Sequence, residues 1–146
     1  MTTRRAEILL IEDSLPDIRL TERAFKIGKL KKNVSVVRDG VAALAYLRQQ
    51  GEYVNAPRPD IILLDLGLPK KNGAEVLTEI KTDPSLKRIP VIVLTTSDAE
   101  EDILDTYDRH ANAYTKKPVD MEEFVKTIKM IEDFWLNLVI LPRREL

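Results

Sequence analysis

A chain of 146 residues is long enough to bury about two-thirds of its unfolded surface in one ordinary core. Its 44% hydrophobic and 32% charged residues exclude a disordered chain, and the absence of cysteine excludes disulfides, thiolate metal sites and thiol catalysis. A single histidine, His110, excludes sites built from paired histidines, and 23 basic against 24 acidic residues (net charge -1) argue against nucleic acid as the main partner. The apolar run after Arg4 and Arg5 stops at Glu12-Asp13, too soon for a signal peptide, and nothing approaches the ~20 apolar residues of a membrane span. The expectation is a soluble, cytoplasmic chain with no membrane partner.

Five short apolar runs occur at residues 8–11, 34–37, 61–64, 91–94 and, more weakly, 113–115. Three of them are rich in Ile and Leu or Val with almost no alternation, as strands buried on both faces should be. Segments of helical periodicity lie between them. Ile18, Glu22 and Phe25 follow Ser14 and Pro16, a helix cap and an early helical proline. Val41, Leu44, Ala45 and Leu47 follow Asp39-Gly40 and stop at Gly51; Val76, Leu77 and Ile80 follow Gly73 and end near Asp83-Pro84. Ile103, Leu104 and Tyr107 follow Ser97-Asp98, with Glu101 spaced for a capping box. Phe124, Ile128, Ile131 and Trp135 follow Asp120, and residues 49–59 read as a surface loop. Alternating strands and helices predict an α/β fold, an open doubly wound five-stranded parallel sheet with five helices, for which the flavodoxin-like order 2-1-3-4-5 is one arrangement.

Two of the strands end in acids, one in Glu12-Asp13 and one in Asp65. If the order is 2-1-3-4-5, strands one and three flank the switch point where such sheets bind ligands, and the three carboxylates would then converge. Carboxylates side by side repel, and take up protons or require a cation; a hard, oxygen-liganded ion such as Mg²⁺ meets that need. As a single residue, each acid reads better as a cap or a solvated strand end. On two neighbouring strands at the expected crevice, the functional reading prevails. The fourth strand ends in Thr95 and the fifth in Lys117-Pro118, whose proline could fix the backbone in cis. Carboxylate, cation, hydroxyl and ammonium together are the parts for handling a phosphoryl group.

From about residue 7 to residue 131 the chain resembles a response regulator receiver domain. The resemblance rests on Glu12-Asp13, on Asp65 with Pro69 and Gly73 in a D-x-x-x-P-x-x-x-G loop, on Thr95, and on Tyr114-Thr115-Lys116-Lys117-Pro118. It implies that Asp65 is the phosphoacceptor, that Asp13 binds Mg²⁺ directly and Glu12 through water, and that Gly67 offers its backbone carbonyl to the metal. It implies further that Lys117 pairs with the phosphoryl group, and that Thr95 bonds a phosphoryl oxygen and lets Tyr114 change rotamer. Tyr114 reads equally well as an ordinary half-buried strand aromatic. Thr96, Gly67 and His110 depart from the common pattern; they leave the chemistry intact and bear on the dephosphorylation rate, and His110 reads as a turn residue. Such a protein is a phosphoacceptor that promotes its own phosphotransfer and dephosphorylation, not a turnover enzyme.

Residues 65–73 and 94–97, the long loop before Pro59-Asp60, and Phe134-Trp135 with Leu141-Pro142 resemble the small regulators that partner bacterial phytochrome histidine kinases. The expected organisation is a receiver domain over residues 1–131 and an apolar extension over 132–146, with no separate output domain. Seven of the nine residues 134–142 are large and apolar. Phe134, Trp135 and Leu138 are therefore expected to build a homodimer; the alternative is a tail folded over its own domain. Output would then pass by protein contact. A phosphatase of the haloacid dehalogenase type would need an acid where Gly67 stands. A flavodoxin would need a Ser/Thr/Gly-rich phosphate loop where Glu12-Asp13 stand. The remaining alternative is a degenerate receiver acting only as a dimerisation or protein-binding module.

Overall fold

Strands covered on both sides need apolar side chains on both, and the central three strands meet that need along nearly their whole length. The computed structural model describes residues 5–138 and 140–142. Its strands are β1 (Ala6–Ile11), β2 (Lys32–Val37), β3 (Ile61–Leu64), β4 (Val91–Thr95) and β5 (Ala113–Lys116). They form one parallel sheet in the order β2-β1-β3-β4-β5. Between them run α1 (Leu15–Ile27), α2 (Gly40–Leu47), α3 (Gly73–Thr82) and α4 (Glu100–Asp108), with α5 (Met121–Ile131) last. The doubly wound order expected from the sequence is the observed one.

The pleat divides the core in two. Leu9, Ile11, Ile62, Leu64, Val91 and Val93 face α2 and α3, meeting Ala43, Leu44, Val76, Leu77 and Ile80. Ile8, Leu10, Ile61, Leu63, Ile92 and Leu94 face the other way, against Ile18, Ala24 and Phe25 of α1 and Phe124, Ile128 and Ile131 of α5. Helix starts follow the capping rules. Ser14, Asp39, Asn72 and Asp120 each accept a backbone N–H of the helix they open.

Helix α4 departs from the expectation. It begins at Glu100 after Ala99 and has no side-chain cap, so Glu101 forms no capping box. The Ser97 hydroxyl turns instead to Asp102 (2.5 Å) and accepts the Ala99 N–H (3.3 Å). Leu104 and Tyr107 are exposed, and Thr106 is the buried residue of the helix. Residues 49–59 contain a 3₁₀ turn at Gly51–Tyr53, anchored by the Tyr53 ring against Tyr46 (centroids 5.4 Å apart). His110 occupies its turn at φ 71°, exposed, as a turn residue should be. The Lys117–Pro118 bond is trans.

Helix α5 continues as a π-helical stretch, Glu132–Leu138. Glu132 is buried and pairs with Lys32 (2.7 Å), whose ammonium also donates to the carbonyls of Phe25 and Gly28. A side chain at residue 28 would collide with the Glu132 carboxylate, so glycine there lets the extension dock. Trp135 packs against its own domain's core, while Phe134 stays exposed. The extension is thus partly folded back. The side chain of Leu138 lies outside the described residues.

Two glycines decide how the loops near the sheet edge close. The Gly40 N–H donates to the Pro69 carbonyl (3.3 Å), and a Cβ on residue 40 would meet the Lys71 carbonyl oxygen at 2.0 Å. The Gly73 N–H donates to the Leu66 carbonyl (2.9 Å), so the start of α3 rests directly on the main chain of Asp65 and Leu66. Gly73→Ala would set a methyl 2.4 Å from the Asp65 carbonyl oxygen and 2.5 Å from the Leu66 Cα. Backbone cannot swing aside, so the variant is expected to lose roughly 1–3 kcal/mol of stability. Urea unfolding should report a lower midpoint at unchanged slope; an unchanged midpoint would mean that α3 can shift to accept the methyl.

Candidate functional site

A parallel sheet sends all its carboxyl ends to one edge. Ile11 and Leu64 are paired in register across β1 and β3, so Glu12, Asp13 and Asp65 leave the sheet side by side. The Asp65 N–H donates to the Ile11 carbonyl and the Glu12 N–H to that of Val37 (both 3.0 Å), continuing the ladder one residue beyond the strands. Lys117 is brought in from β5 by its N–H, which donates to the Thr95 carbonyl (2.6 Å).

The five polar residues singled out from the sequence converge here. Glu12, Asp13 and Asp65 each offer a carboxylate oxygen, all within 4.8 Å of one another. Lys117, almost fully buried, reaches Glu12 Oε1 at 2.5 Å and Asp65 Oδ2 at 3.3 Å. Thr95, buried at the end of β4, stands at the same edge, and its hydroxyl helps to hold Asp65 ionised. The Gly67 N–H donates to Asp65 Oδ1 (3.4 Å), which holds that exposed residue against the acids. Tyr114 stands one step away: its hydroxyl donates to the Ser97 carbonyl (2.9 Å) in the loop after Thr95, and its own N–H donates to the Tyr107 hydroxyl (3.1 Å). Phe134 and Trp135 do not join the site. Helix α5 carries them back to the opposite end of the sheet, where Glu132 meets Lys32 at the start of β2.

The electrostatics follow from burial and crowding. Burial pushes the Glu12 carboxyl up to about 7; Lys117 pulls against it, and the Asp65 charge and hydrogen bond add to the rise. For Asp65 burial is again the largest influence and opposes ionisation. The hydrogen bond from Glu12, the Lys117 charge and the Thr95 hydroxyl outweigh it and hold Asp65 below its usual value. Burial likewise works against the charge on Lys117. Its contacts with Glu12, Asp17 and Asp65 outweigh that and raise it above an ordinary lysine. Adjacent carboxyls thus divide their roles: Glu12 keeps a proton longest and Asp65 stays an anion. Three hard oxygens at this spacing suit a divalent cation that retains water.

Two participants escaped the sequence reading. Asp17, in the first turn of α1, lies 2.9 Å from the Lys117 ammonium. Arg38, just past β2, donates to the Asp13 carbonyl (2.8 Å) and braces the turn that carries the acid. Asp17 three residues after Ser14 has the signature of an ordinary first-turn helix acid, and nothing local marks Arg38.

Known proteins resemble this chain in sequence and fold. The response regulator receiver domain family matches residues 8–129. Response regulator Rcp1 of Synechocystis sp. is 52% identical over 135 residues, 92% of either chain. The crystal structure of the Mn²⁺-bound form of Rcp1 superposes with a TM-score of 0.91 at 51% identity, over 94% of this chain and 99% of that one. The phosphorylated cyanobacterial phytochrome response regulator RcpA gives a TM-score of 0.93 at 52% identity, over 96% of this chain and all of that one. With its sheet order and its edge of acids, hydroxyl and buried lysine, the chain belongs to the response regulator receiver domain family.

Proposed function

We propose that the protein is the phosphoacceptor of a two-component system, taking a phosphoryl group on Asp65 from a phytochrome-type histidine kinase and passing the signal on by protein contact. The observation that carries this reading is Asp65 lying 3.3 Å from the buried Lys117 ammonium, with its carboxylate clustered with those of Glu12 and Asp13. The likeness to Rcp1 and to the phytochrome regulator RcpA supports the choice of kinase. Residues 1–131 act as the receiver and 132–146 as its C-terminal apolar extension. Among the described residues no helix is long and apolar enough to cross a membrane.

In the transfer, an Asp65 carboxylate oxygen bonds to phosphorus as the bond from phosphorus to the donor imidazole nitrogen breaks. The Lys117 ammonium pairs with a phosphoryl oxygen and the Thr95 hydroxyl bonds another, both held by buried backbone. Glu12, Asp13, Asp65 and the Gly67 carbonyl would hold a divalent cation, Mg²⁺ by the preference of such oxygens, which when bound neutralises charge on the phosphoryl oxygens. Thr95 drawn toward the phosphoryl group makes room for Tyr114 to leave the Ser97 carbonyl and turn inward. Hydrolysis of the acyl phosphate at the same site returns the protein to its resting state.

Incubated with Mg²⁺ and a panel of phosphorylated histidine kinases, the protein should be labelled fastest by a phytochrome-type donor, and Asp65→Asn should take up no label. Equal labelling of the two proteins would overturn the acceptor; equal rates from all donors would remove only the phytochrome link.

Glu12 gives a pH dependence with a definite sign. Its carboxyl is raised from 4.5 to about 7, so between these values the cation-free folded protein binds more protons than the unfolded chain. The stability it contributes is full below pH 4.5 and is lost as pH rises through about 7. A cation must displace that proton, so Mn²⁺ or Mg²⁺ affinity should rise up to ~10-fold per pH unit below 7 and level off above it. Glu12→Gln should flatten the curve; a wild-type affinity independent of pH would refute the assignment.

A second copy of the chain is the proposed cover for the exposed Phe134. Sedimentation should find the wild type dimeric at tens of micromolar and Phe134→Asp monomeric and folded. Trp135, already packed on its own domain, is the poorer target, since charge there would disturb the fold. A monomeric wild type, with and without phosphorylation, would remove the dimer.

A further inference from the structure

An ammonium group has three N–H donors and no more. Around Lys117 three carboxylates already claim them: Glu12 at 2.5 Å, Asp17 at 2.9 Å and Asp65 at 3.3 Å. Asp17 is nearer than the acceptor itself. If Asp65 receives a phosphoryl group, as proposed above, a phosphoryl oxygen reaches Lys117 only when one of these partners yields.

The three differ in how readily they can. The Glu12 side chain is 3% exposed, and its other oxygen accepts the Ser14 N–H (3.2 Å). Asp65 carries the incoming group. Asp17 is 25% exposed on the first turn of α1, where its carboxylate can turn into water without a new desolvation cost. Its main chain is held independently, the N–H donating to the Ser14 hydroxyl (3.4 Å) and the carbonyl accepting from Thr21 (2.8 Å). The helix start therefore does not depend on where the side chain points.

We propose that Asp17 is the displaceable counter-ion of Lys117: it holds the ammonium in the unphosphorylated protein, releases it when a phosphoryl group occupies Asp65, and by its charge sets how tightly that group is held. Asp17 is a positioning residue, acting through Lys117 and not on the reacting atoms. It is distinct from Thr95 and Tyr114, and its effect has a signature. Neutralising Asp17 removes a charge that repels the phosphoryl group and frees the lysine to meet it, so an anion binds more tightly. The same change leaves Lys117 pulling harder on Glu12 and Asp65 and takes one negative charge from the site, so a cation alone binds more weakly. A helix-capping role would move neither constant in this opposed way.

The test uses the full chain, with beryllofluoride as the phosphoryl mimic and Mn²⁺ as the cation, in wild type, Asp17→Asn and Asp17→Glu. Asp17→Asn is expected to bind beryllofluoride about three- to tenfold more tightly at saturating Mn²⁺, and Mn²⁺ alone more weakly by a similar factor. Asp17→Glu should restore both constants toward wild type. A crystal structure of the wild-type complex should show the Asp17 carboxylate withdrawn from Lys117. Unchanged constants in Asp17→Asn, shifts of both in one direction with a lowered melting temperature, or an Asp17–Lys117 pair intact in the complex would each overturn the proposal. A variant that failed to fold would overturn it too, by showing that Asp17 is needed for the structure. A wild type that binds no beryllofluoride would remove the phosphoacceptor reading and this inference with it. An effect missing only in the Asp17 variants would leave the acceptor in place.

Discussion

One buried ammonium organises the working edge of this protein. Lys117 sits almost out of solvent among Glu12, Asp17 and Asp65, with Asp13 close behind. Removing a charge from water costs several kcal/mol unless it is paired, and packing carboxylates together is repulsive unless a cation separates them. Each problem answers the other. The lysine stays charged because the acids surround it, and Asp65 stays ionised because the lysine and the Glu12 proton sit beside it. The cluster still carries an excess of negative charge, which a divalent cation can offset, and its one positive group is the natural partner of an arriving phosphoryl group.

The site can be held this way only because the sheet behind it is rigid. Ile11 and Leu64, fully buried and paired in register, set the spacing of the acids that follow them. The apolar layers on both faces bear the electrostatic cost: each fully buried Leu or Ile contributes roughly 1.5–3 kcal/mol, and ten of the fifteen residues of the three central strands are Leu or Ile. Close approach does the rest. With glycine at 73, α3 lies on the backbone of the acceptor; with glycine at 40, α2 lies on the loop containing Pro69. The loop motif is thus a packing requirement as well as a chemical one.

The far end of the domain follows the same logic with a different result. Lys32 and Glu132 form a second buried pair, supported by two main-chain carbonyls and admitted by Gly28, and it docks the π-helical extension of α5. Once docked, Trp135 belongs to the domain's own core and Phe134 faces outward. Two neighbours in a run that reads as one apolar tail thus face opposite ways.

The strands and the identity of the edge residues were legible in the sequence, because each depends on local pattern. Uninterrupted apolar runs such as residues 61–64 mark strands buried on both faces. Caps such as Ser14 and Asn72 mark helix starts, and an acid directly after such a run marks the ligand-binding edge of a parallel sheet. What depends on distance in space was not legible. Asp17 looks like any first-turn helix acid until β5 delivers Lys117 to it from one hundred residues away. Arg38 looks like a surface arginine until it reaches the Asp13 carbonyl. The exposed stripe of α4 and the division of roles between Phe134 and Trp135 are of the same kind. Periodicity and capping are written in neighbours along the chain, and so the sequence by itself determined the fold and the acids of its edge. Which carboxylate shares a proton, which one guards the lysine and which aromatic stays uncovered are set by contacts between segments remote in sequence, and only the tertiary structure decided them.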